Sequence, residues 1–262
     1  MPRSSKKRKP NPEPEPSSSS SSSSSSDNDN NSEDEINSSE NIQIDLEARS
    51  PNETDQSAIL YFLEQSFGNS IKKSVLDLNL LANQLIKQQS CGSVFYQPLD
   101  ENEEDDDDDD DESLVLGICS LLHFNQQQNK QIYTWLMDKC SEKNQAKTIL
   151  QSLTCGLFIN ERYMNIPADI SLPAIRTLRE EISDQIDYWI IHVKLRLDKN
   201  DSNTIYYING EEEIFDQHSI VSIDYQPVQS NSNDWIQKRR ILFVSTNKLD
   251  QICSEIEQKL KQ

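Results

Sequence analysis

YWIIHVKLRL, residues 188–197, alternates large apolar side chains with His192, Lys194 and Arg196. A period of two is typical of a β-strand, so the sequence predicts a strand here with one buried and one polar face. Similar apolar patterns predict the remaining strands at 42–47, 93–97, 114–124, 155–164, 219–225 and 239–245.

Helical periodicity occupies the intervals between these predicted strands. Ser57 is placed to cap one helix, and Ile166-Pro167 leads into another. Apolar residues three and four positions apart predict further helices at 71–89, 126–143 and 247–261. Strands mixed with helices and clustered toward the end of the chain favour an α+β fold, with a mixed, largely antiparallel sheet flanked by helices.

Composition indicates that part of the chain does not fold. Only 34% of the 262 residues are hydrophobic, which is below the usual share for a globular domain. Residues 1–41 hold almost no large apolar side chains, so burial cannot offset the entropy of ordering them. We therefore predict a disordered tail at 1–41, basic and then serine-rich and acidic. A single α+β domain is predicted at 42–262, with a disordered acidic loop at 100–112.

The net charge of −20 is concentrated in two runs. Residues 27–57 carry ten carboxylates against Arg49, and residues 100–112 carry twelve carboxylates and no basic residue. By contrast, 113–262 has 16 Lys and Arg against 19 Asp and Glu, a net of −3. Such a distribution repels phosphate and attracts polycations, so the expected partner is a basic protein and not nucleic acid alone.

The longest uninterrupted run of acid lies within 100–112. One interpretation is a disordered, self-repelling loop, and the other is a segment that neutralises Lys and Arg clusters on a partner. Both hold if a disordered loop is also the binding segment. The candidate partner-binding residues are Asp105, Asp106, Asp107, Asp108, Asp109, Asp110 and Asp111.

A compact basic cluster near the N-terminus predicts a nuclear import signal, although a solvated basic tail is the alternative. Its residues are Lys6, Lys7, Arg8 and Lys9. An import receptor is therefore an expected partner. The nucleus is the expected location, and shuttling between nucleus and cytoplasm is a further expectation.

Five dispersed cysteines with no CxxC pair indicate a reducing compartment. No apolar run is long enough for a membrane span, so no membrane contact is expected.

Catalytic and cofactor motifs are absent from the sequence. The five glycines are at least 24 positions apart, so no phosphate-binding glycine loop is present. The three histidines have no metal-ligand spacing, and His192 is expected to be an exposed or hydrogen-bonded strand residue. The acidic pair Glu180-Glu181 and triplet Glu211-Glu212-Glu213 are expected to be solvated. We therefore expect no enzyme activity, no cofactor and no metal.

The segment Gly156–Pro167, GLFINERYMNIP, closely resembles the signature of the BCCIP family, G-L-L-(I/L)-(N/S)-E-R-(F/Y)-(I/M)-N-(I/V)-P. Three further elements follow the family in the same order. They are Gly92-Ser93-Val94 followed by an acidic run, Leu116–Leu122, and Asn209–Phe215, which is similar to the family's Asn-x-Glu-Glu-Glu-x-Phe element. The resemblance covers about residue 42 to the end of the chain.

The resemblance implies a fold related to the acetyltransferases of the general-control type, without acyl-CoA binding. It also implies a nuclear chaperone for a basic large-subunit ribosomal protein, acting in ribosome biogenesis and nuclear export. Animal members of the family are tied to a recombination mediator and a cyclin-dependent kinase inhibitor, which implies cell-cycle or DNA-repair regulation. An acetyltransferase-type enzyme and a histone chaperone are the alternative functions.

Overall fold

One eight-stranded sheet organises the described part of the chain in this computed structural model. The structure describes residues 45–68, 71, 75–88, 91–98, 114–124, 129–182, 186–201, 204–227 and 235–261. The strands are β1 (Glu47–Arg49), β2 (Ser93–Tyr96), β3 (Val115–His123), β4 (Cys155–Arg162), β5 (Tyr188–Asp198), β6 (Ile205–Tyr207), β7 (Val221–Tyr225) and β8 (Trp235–Ser245).

The strand order is β1-β2-β3-β4-β5-β8-β7, and β6 pairs with the far end of β5. Every pairing is antiparallel except that of β4 with β5, which is parallel. The predicted α+β fold with a mixed, largely antiparallel sheet is therefore confirmed. The topology is also consistent with the acetyltransferase-like fold that the family resemblance implies.

Helices cover both faces of the sheet, because β4 and β5 direct apolar side chains to both sides. Leu157 and Ile190 pack into the core with α1–α4, whereas Trp189 and Ile191 pack into a second core with α5–α7. The α-helices of the described residues are α1 (Gln56–Leu63), α2 (Leu78–Lys87), α3 (Lys130–Lys139), α4 (Asn144–Ser152), α5 (Ser171–Glu181), α6 (Glu211–Gln217) and α7 (Leu249–Leu260). Single 3₁₀ turns lie at Glu53–Asp55, Ala168–Ile170 and Thr246–Lys248, and a π-helical turn at Glu64–Gly68 follows α1.

Several predicted elements differ from the observed ones. The helix predicted at 71–89 begins at Leu78, because the Asp77 side chain accepts hydrogen bonds from the Asn79 and Leu80 amides and caps it there. Of the strand predicted at 42–47, residues 45–47 lie in the described part of the chain, where the observed strand is Glu47–Arg49. The short elements α4, α6 and β6 were not predicted.

The predicted polar face of β5 is wrong for most of the strand. His192 is only 6% exposed and Lys194 is mostly covered, while Arg196 alone of the three is exposed. β5 is a central strand: β4 and β6 pair with one of its edges, and β8 pairs with the other along its whole length. Helices pack against both faces of such a central strand, so its polar side chains are covered. The predicted domain boundary at 41/42 and the acidic loop at 100–112 lie outside the described residues and stay predictions.

Candidate functional site

The two parallel strands at the centre of the sheet separate partway along their length. Their pairing runs from Cys155 with Tyr188 to Phe158 with Ile191 and ends there. β4 continues to Arg162 with a strand partner only on its β3 side among the described residues. The widening gap between β4 and β5 is called the fork below. It is the one place in the described sheet where central strands leave their shared edge open.

A salt bridge spans the fork. Lys194 Nζ on β5 lies 2.5 Å from Glu161 Oε2 on β4, and both side chains are largely buried. Glu161 and Lys194 are 33 residues apart, the same offset as the paired residues Phe158 and Ile191. Side chains therefore bridge the positions where main-chain pairing would have continued.

A second ion pair lies on the other face of the sheet. Arg162 donates to both oxygens of Glu211, at 2.6 and 3.1 Å, and both side chains are under 10% exposed. Ser171 Oγ at the start of α5 and Asn160 Nδ2 also donate to Glu211. Burial opposes ionisation of Glu211, but the Arg162 guanidinium and the Ser171 hydroxyl outweigh it and hold the pKa of Glu211 below its ordinary value.

Glu212 is buried next to this pair and behaves differently. Burial raises its pKa to about 8, and the nearby carboxylates of Glu161 and Glu211 act in the same direction. The side chain of Asn209 donates to it at 3.0 Å. The prediction that Glu211 and Glu212 are solvated is therefore wrong, because the first turn of α6 inserts both side chains at the fork.

His192 lies on the opposite face of β5 from Glu211 and is buried. Its Nε2 lies 2.6 Å from the Tyr225 hydroxyl and its Nδ1 lies 3.3 Å from Ser66 Oγ. The ring stacks on Phe67 with centroids 4.6 Å apart. Burial, and then the charges of Arg239 and Lys194, hold the pKa of His192 well below its ordinary value, so the ring is neutral. His192 was expected to be either exposed or hydrogen-bonded, and the structure shows it hydrogen-bonded.

The outer part of the fork opens into a cleft of about 950 Å³. Tyr61 of α1 and Met164 stand at its mouth, with Tyr163 packed against Tyr61 at a centroid distance of 5.4 Å. Glu161 is the one carboxylate among its lining residues, against four cations, which leaves a formal charge of +3. The cations are Arg162, Lys194, Arg196 and Arg239.

These residues do not fit an acyl-CoA cofactor. Such a ligand carries phosphates, which need uncommitted hydrogen-bond donors and positive charge. The donors where β4 leads into α5, namely Asn160, Arg162 and Ser171, all donate to the Glu211 carboxylate. That carboxylate uses the donors and would also repel a phosphate. The described residues contain no group of three metal-ligating side chains either.

Thiol chemistry is equally disfavoured in the described core. Desolvation raises the pKa of Cys91 to about 11, and that of Cys140 and Cys155 to about 12. All five cysteines are free thiols, and four of them are buried. Burial of this kind keeps thiols protonated and unreactive. No helix among the described residues is long and apolar enough to cross a membrane.

The sequence-predicted site residues and the fork are different parts of the chain. Lys6–Lys9 and Asp105–Asp111 lie outside the described residues, so their roles stay predictions. The residues of the fork were not predicted as a site, because no local spacing links β4 with α6. One signal was available, since Glu161-Arg162 and Glu211-Glu212 both lie in the segments that resemble the BCCIP family.

Comparison with known proteins places this geometry in context. A family model described as BCCIP matches residues 41–215, more than half of the chain. The chain is 27% identical to "Protein BCCIP homolog" of Drosophila melanogaster over 84% of this chain and 85% of the relative. It is 26% identical to "BRCA2 and CDKN1A-interacting protein" of Bos taurus over 85% of both proteins, and 28% identical to the Homo sapiens protein of that name over 55% of this chain and 48% of the relative.

Proposed function

Because this chain belongs to the BCCIP family, we propose that it is a non-catalytic nuclear adaptor that binds and escorts a basic protein. The class of partner that we favour is a large-subunit ribosomal protein. The biological role would then be in ribosome biogenesis and nuclear export.

One observation carries this proposal, namely the location of the negative charge. Residues 100–112 hold twelve carboxylates and no basic residue, whereas 113–262 is close to neutral at −3. In the sequence β2 precedes the acidic run and β3 follows it, so the run lies between neighbouring strands of the sheet. A dense anionic segment attached to a folded domain accelerates encounter with a polycation, and a contact surface on the domain supplies specificity.

The non-catalytic part of the proposal is supported by the chemistry of the fork. The buried cationic and anionic groups there pair with one another, in Arg162 with Glu211 and Lys194 with Glu161. Groups that satisfy each other in this way hold a structure together and are not poised for a substrate. The printed names of the relatives also describe interacting proteins.

The bovine and human relatives are named for interactions with BRCA2 and CDKN1A. We extend this to the present chain as a proposal that it also binds proteins of the cell cycle or of DNA repair.

Nuclear entry would depend on Lys6–Lys9. Replacing these four residues by alanine in a fluorescent fusion should move the protein from the nucleus to the cytoplasm, whereas unchanged nuclear accumulation would remove this signal from the proposal.

The proposal is tested by measuring binding to purified large-subunit ribosomal proteins with Asp105–Asp111 replaced by asparagine. A matched variant with seven glutamates keeps the charge and changes only side-chain length. We expect the asparagine variant to lose affinity and much of the salt dependence, and the glutamate variant to keep both. Equal affinity of all three proteins would exclude the acidic run from binding.

A competition experiment separates the histone-chaperone alternative. Purified core histones and the ribosomal protein are offered together at physiological salt, and the bound fraction of each is measured. Preferential retention of the ribosomal protein supports the proposal. Preferential retention of histones would replace it with the alternative function.

A further inference from the structure

The cleft at the outer fork has the opposite charge to the protein as a whole. Its lining carries a formal +3 in a chain of net charge −20; Arg162 and Lys194 are paired with Glu211 and Glu161, so Arg196 and Arg239 supply the positive charge offered to a ligand. Arg196, which is exposed, and Arg239 belong to the same lining; burial lowers the pKa of Arg239, nearby acidic groups including Glu161 oppose this, and the Arg196 charge adds to the lowering. A carboxylate bound in the cleft would be attracted to both guanidinium groups.

The cleft also contains an open strand edge. The Tyr163 amide donates to the Leu116 carbonyl on β3, so alternation along β4 turns the main-chain groups of Arg162, which lines the cleft, toward the fork. No strand of the described residues pairs with that side of β4 beyond Phe158. A strand edge without a strand partner is the template that extended peptides use when they add a strand to a sheet.

The mouth of the cleft is apolar and exposed. Met164 is 90% exposed and Tyr61 is 41% exposed, and both line the cleft. Large apolar side chains held at the surface beside a cleft are typical of binding sites. An extended chain presents alternate residues to opposite sides, so acidic residues on one side would meet the cations and apolar residues on the other would meet this mouth.

We propose that the cleft between β4 and β5 binds a short acidic peptide segment, with alternating acidic and apolar residues, in an extended conformation along the edge of β4. The volume of about 950 Å³ lies within the range of pockets that bind small ligands and short segments. This site is separate from the acidic run and selects the opposite charge. The inference therefore does not depend on the proposed function.

The geometry favours a peptide over nucleic acid. A nucleic acid would extend beyond the cleft over a protein of net charge −20, whereas a short peptide is confined to the cationic lining. The donors that could bind a phosphate, Arg162 at the end of β4 and Ser171 at the start of α5, already donate to Glu211. Main-chain groups on a strand edge recognise a peptide backbone and have no counterpart in a polynucleotide.

The test uses the full chain and a fluorescein-labelled octapeptide in which aspartate and leucine alternate, with fluorescence anisotropy as the readout. The control peptide has asparagine in place of aspartate. We expect saturable binding of the acidic peptide that weakens with salt, and at least tenfold weaker binding of the neutral one, about the effect of losing two exposed charge pairs. Equal binding of the two peptides would overturn the proposal.

Two exposed positions test the location. Arg196→Glu and Met164→Asp should each weaken binding about fivefold, as expected for exposed charges near a ligand. Lys143→Glu, which makes the same charge change as the first variant at an exposed residue before α4, should leave binding unchanged. Circular dichroism checks that each variant is folded. If all three variants bind alike, or if a single-stranded oligonucleotide or millimolar inorganic phosphate displaces the peptide, the proposed site is wrong.

Discussion

Arg162 and Glu211 lie 49 residues apart in the sequence and form a two-pronged ion pair, with nitrogen–oxygen distances of 2.6 and 3.1 Å. The pair joins the end of β4 to the first residue of α6. It lies under the open part of the fork, where no main-chain pairing holds β4 to β5. In the described structure it therefore ties α6 to the separated strand.

Removing one partner of this pair should destabilise the fold strongly. Arg162→Met leaves the Glu211 carboxylate buried without its counter-ion, which costs about 3–5 kcal/mol of unfolding free energy. Urea denaturation at pH 7 measures the change. The control is Arg176→Met, which breaks the exposed pair with Glu257 and should cost less than about 1 kcal/mol. A loss in Arg162→Met no larger than in this control would contradict the structural role.

Glu212 should make stability fall as pH rises. Its pKa is about 8 in the folded protein and near 4.5 when unfolded, so the folded state holds the extra proton and loses that advantage between these values. The Glu212→Gln variant cannot ionise. Relative to the parent protein it should therefore gain roughly 3–4 kcal/mol between pH 5 and pH 8.

Urea denaturation at pH 5, 6.5 and 8 tests this prediction, with Glu213→Gln as the control. Glu213 is the next residue on α6, and its side chain is 45% exposed in a pair with Lys259. A stability difference between Glu212→Gln and the parent that stays constant with pH would show that Glu212 ionises normally in the fold.

His192 should remain neutral below the pH at which histidine ordinarily titrates. Its folded pKa is lowered by burial and by Arg239 and Lys194, so its contribution to stability is present above the unfolded pKa and is lost as pH falls below about 6.5. Nitrogen-15 NMR of the imidazole should show no protonation of His192 at pH 5.5 in the folded protein. The urea-unfolded chain provides the comparison, and an ordinary titration of His192 in the folded state would refute the burial argument.

Gly92 should not tolerate a side chain. Its φ is +107°, and a Cβ there would lie 2.5 Å from both the Cys119 carbonyl oxygen and Ser120 Cβ. Gly92→Ala should therefore lower the unfolding free energy by about 2–5 kcal/mol through strain and overpacking. Gly210→Ala is the matched control, because its Cβ would meet no atom within 4 Å. Similar thermal midpoints for the two variants would contradict this account of Gly92.

Local patterns in the sequence were sufficient for much of the fold. The apolar run at 114–124 predicted β3, and the periodicity at 247–261 predicted α7, because each depends on side chains that repeat within one element. The family resemblance was equally local, since it depends on the contiguous segment Gly156–Pro167 and is confirmed by the family match. The uneven distribution of charge is likewise a property of the chain itself.

Tertiary structure alone decided the fork and its chemistry. Glu211 and Glu212 belong to an acidic triplet that is typical of a solvated surface, and only the packing of α6 against β4 buries them beside Arg162 and Glu161. The sequence contains the charges, but burial and pairing depend on which elements meet, and β4 and α6 are separated by more than 40 residues. Desolvation and Coulomb interactions act over a few ångströms in space, and sequence spacing does not determine those distances.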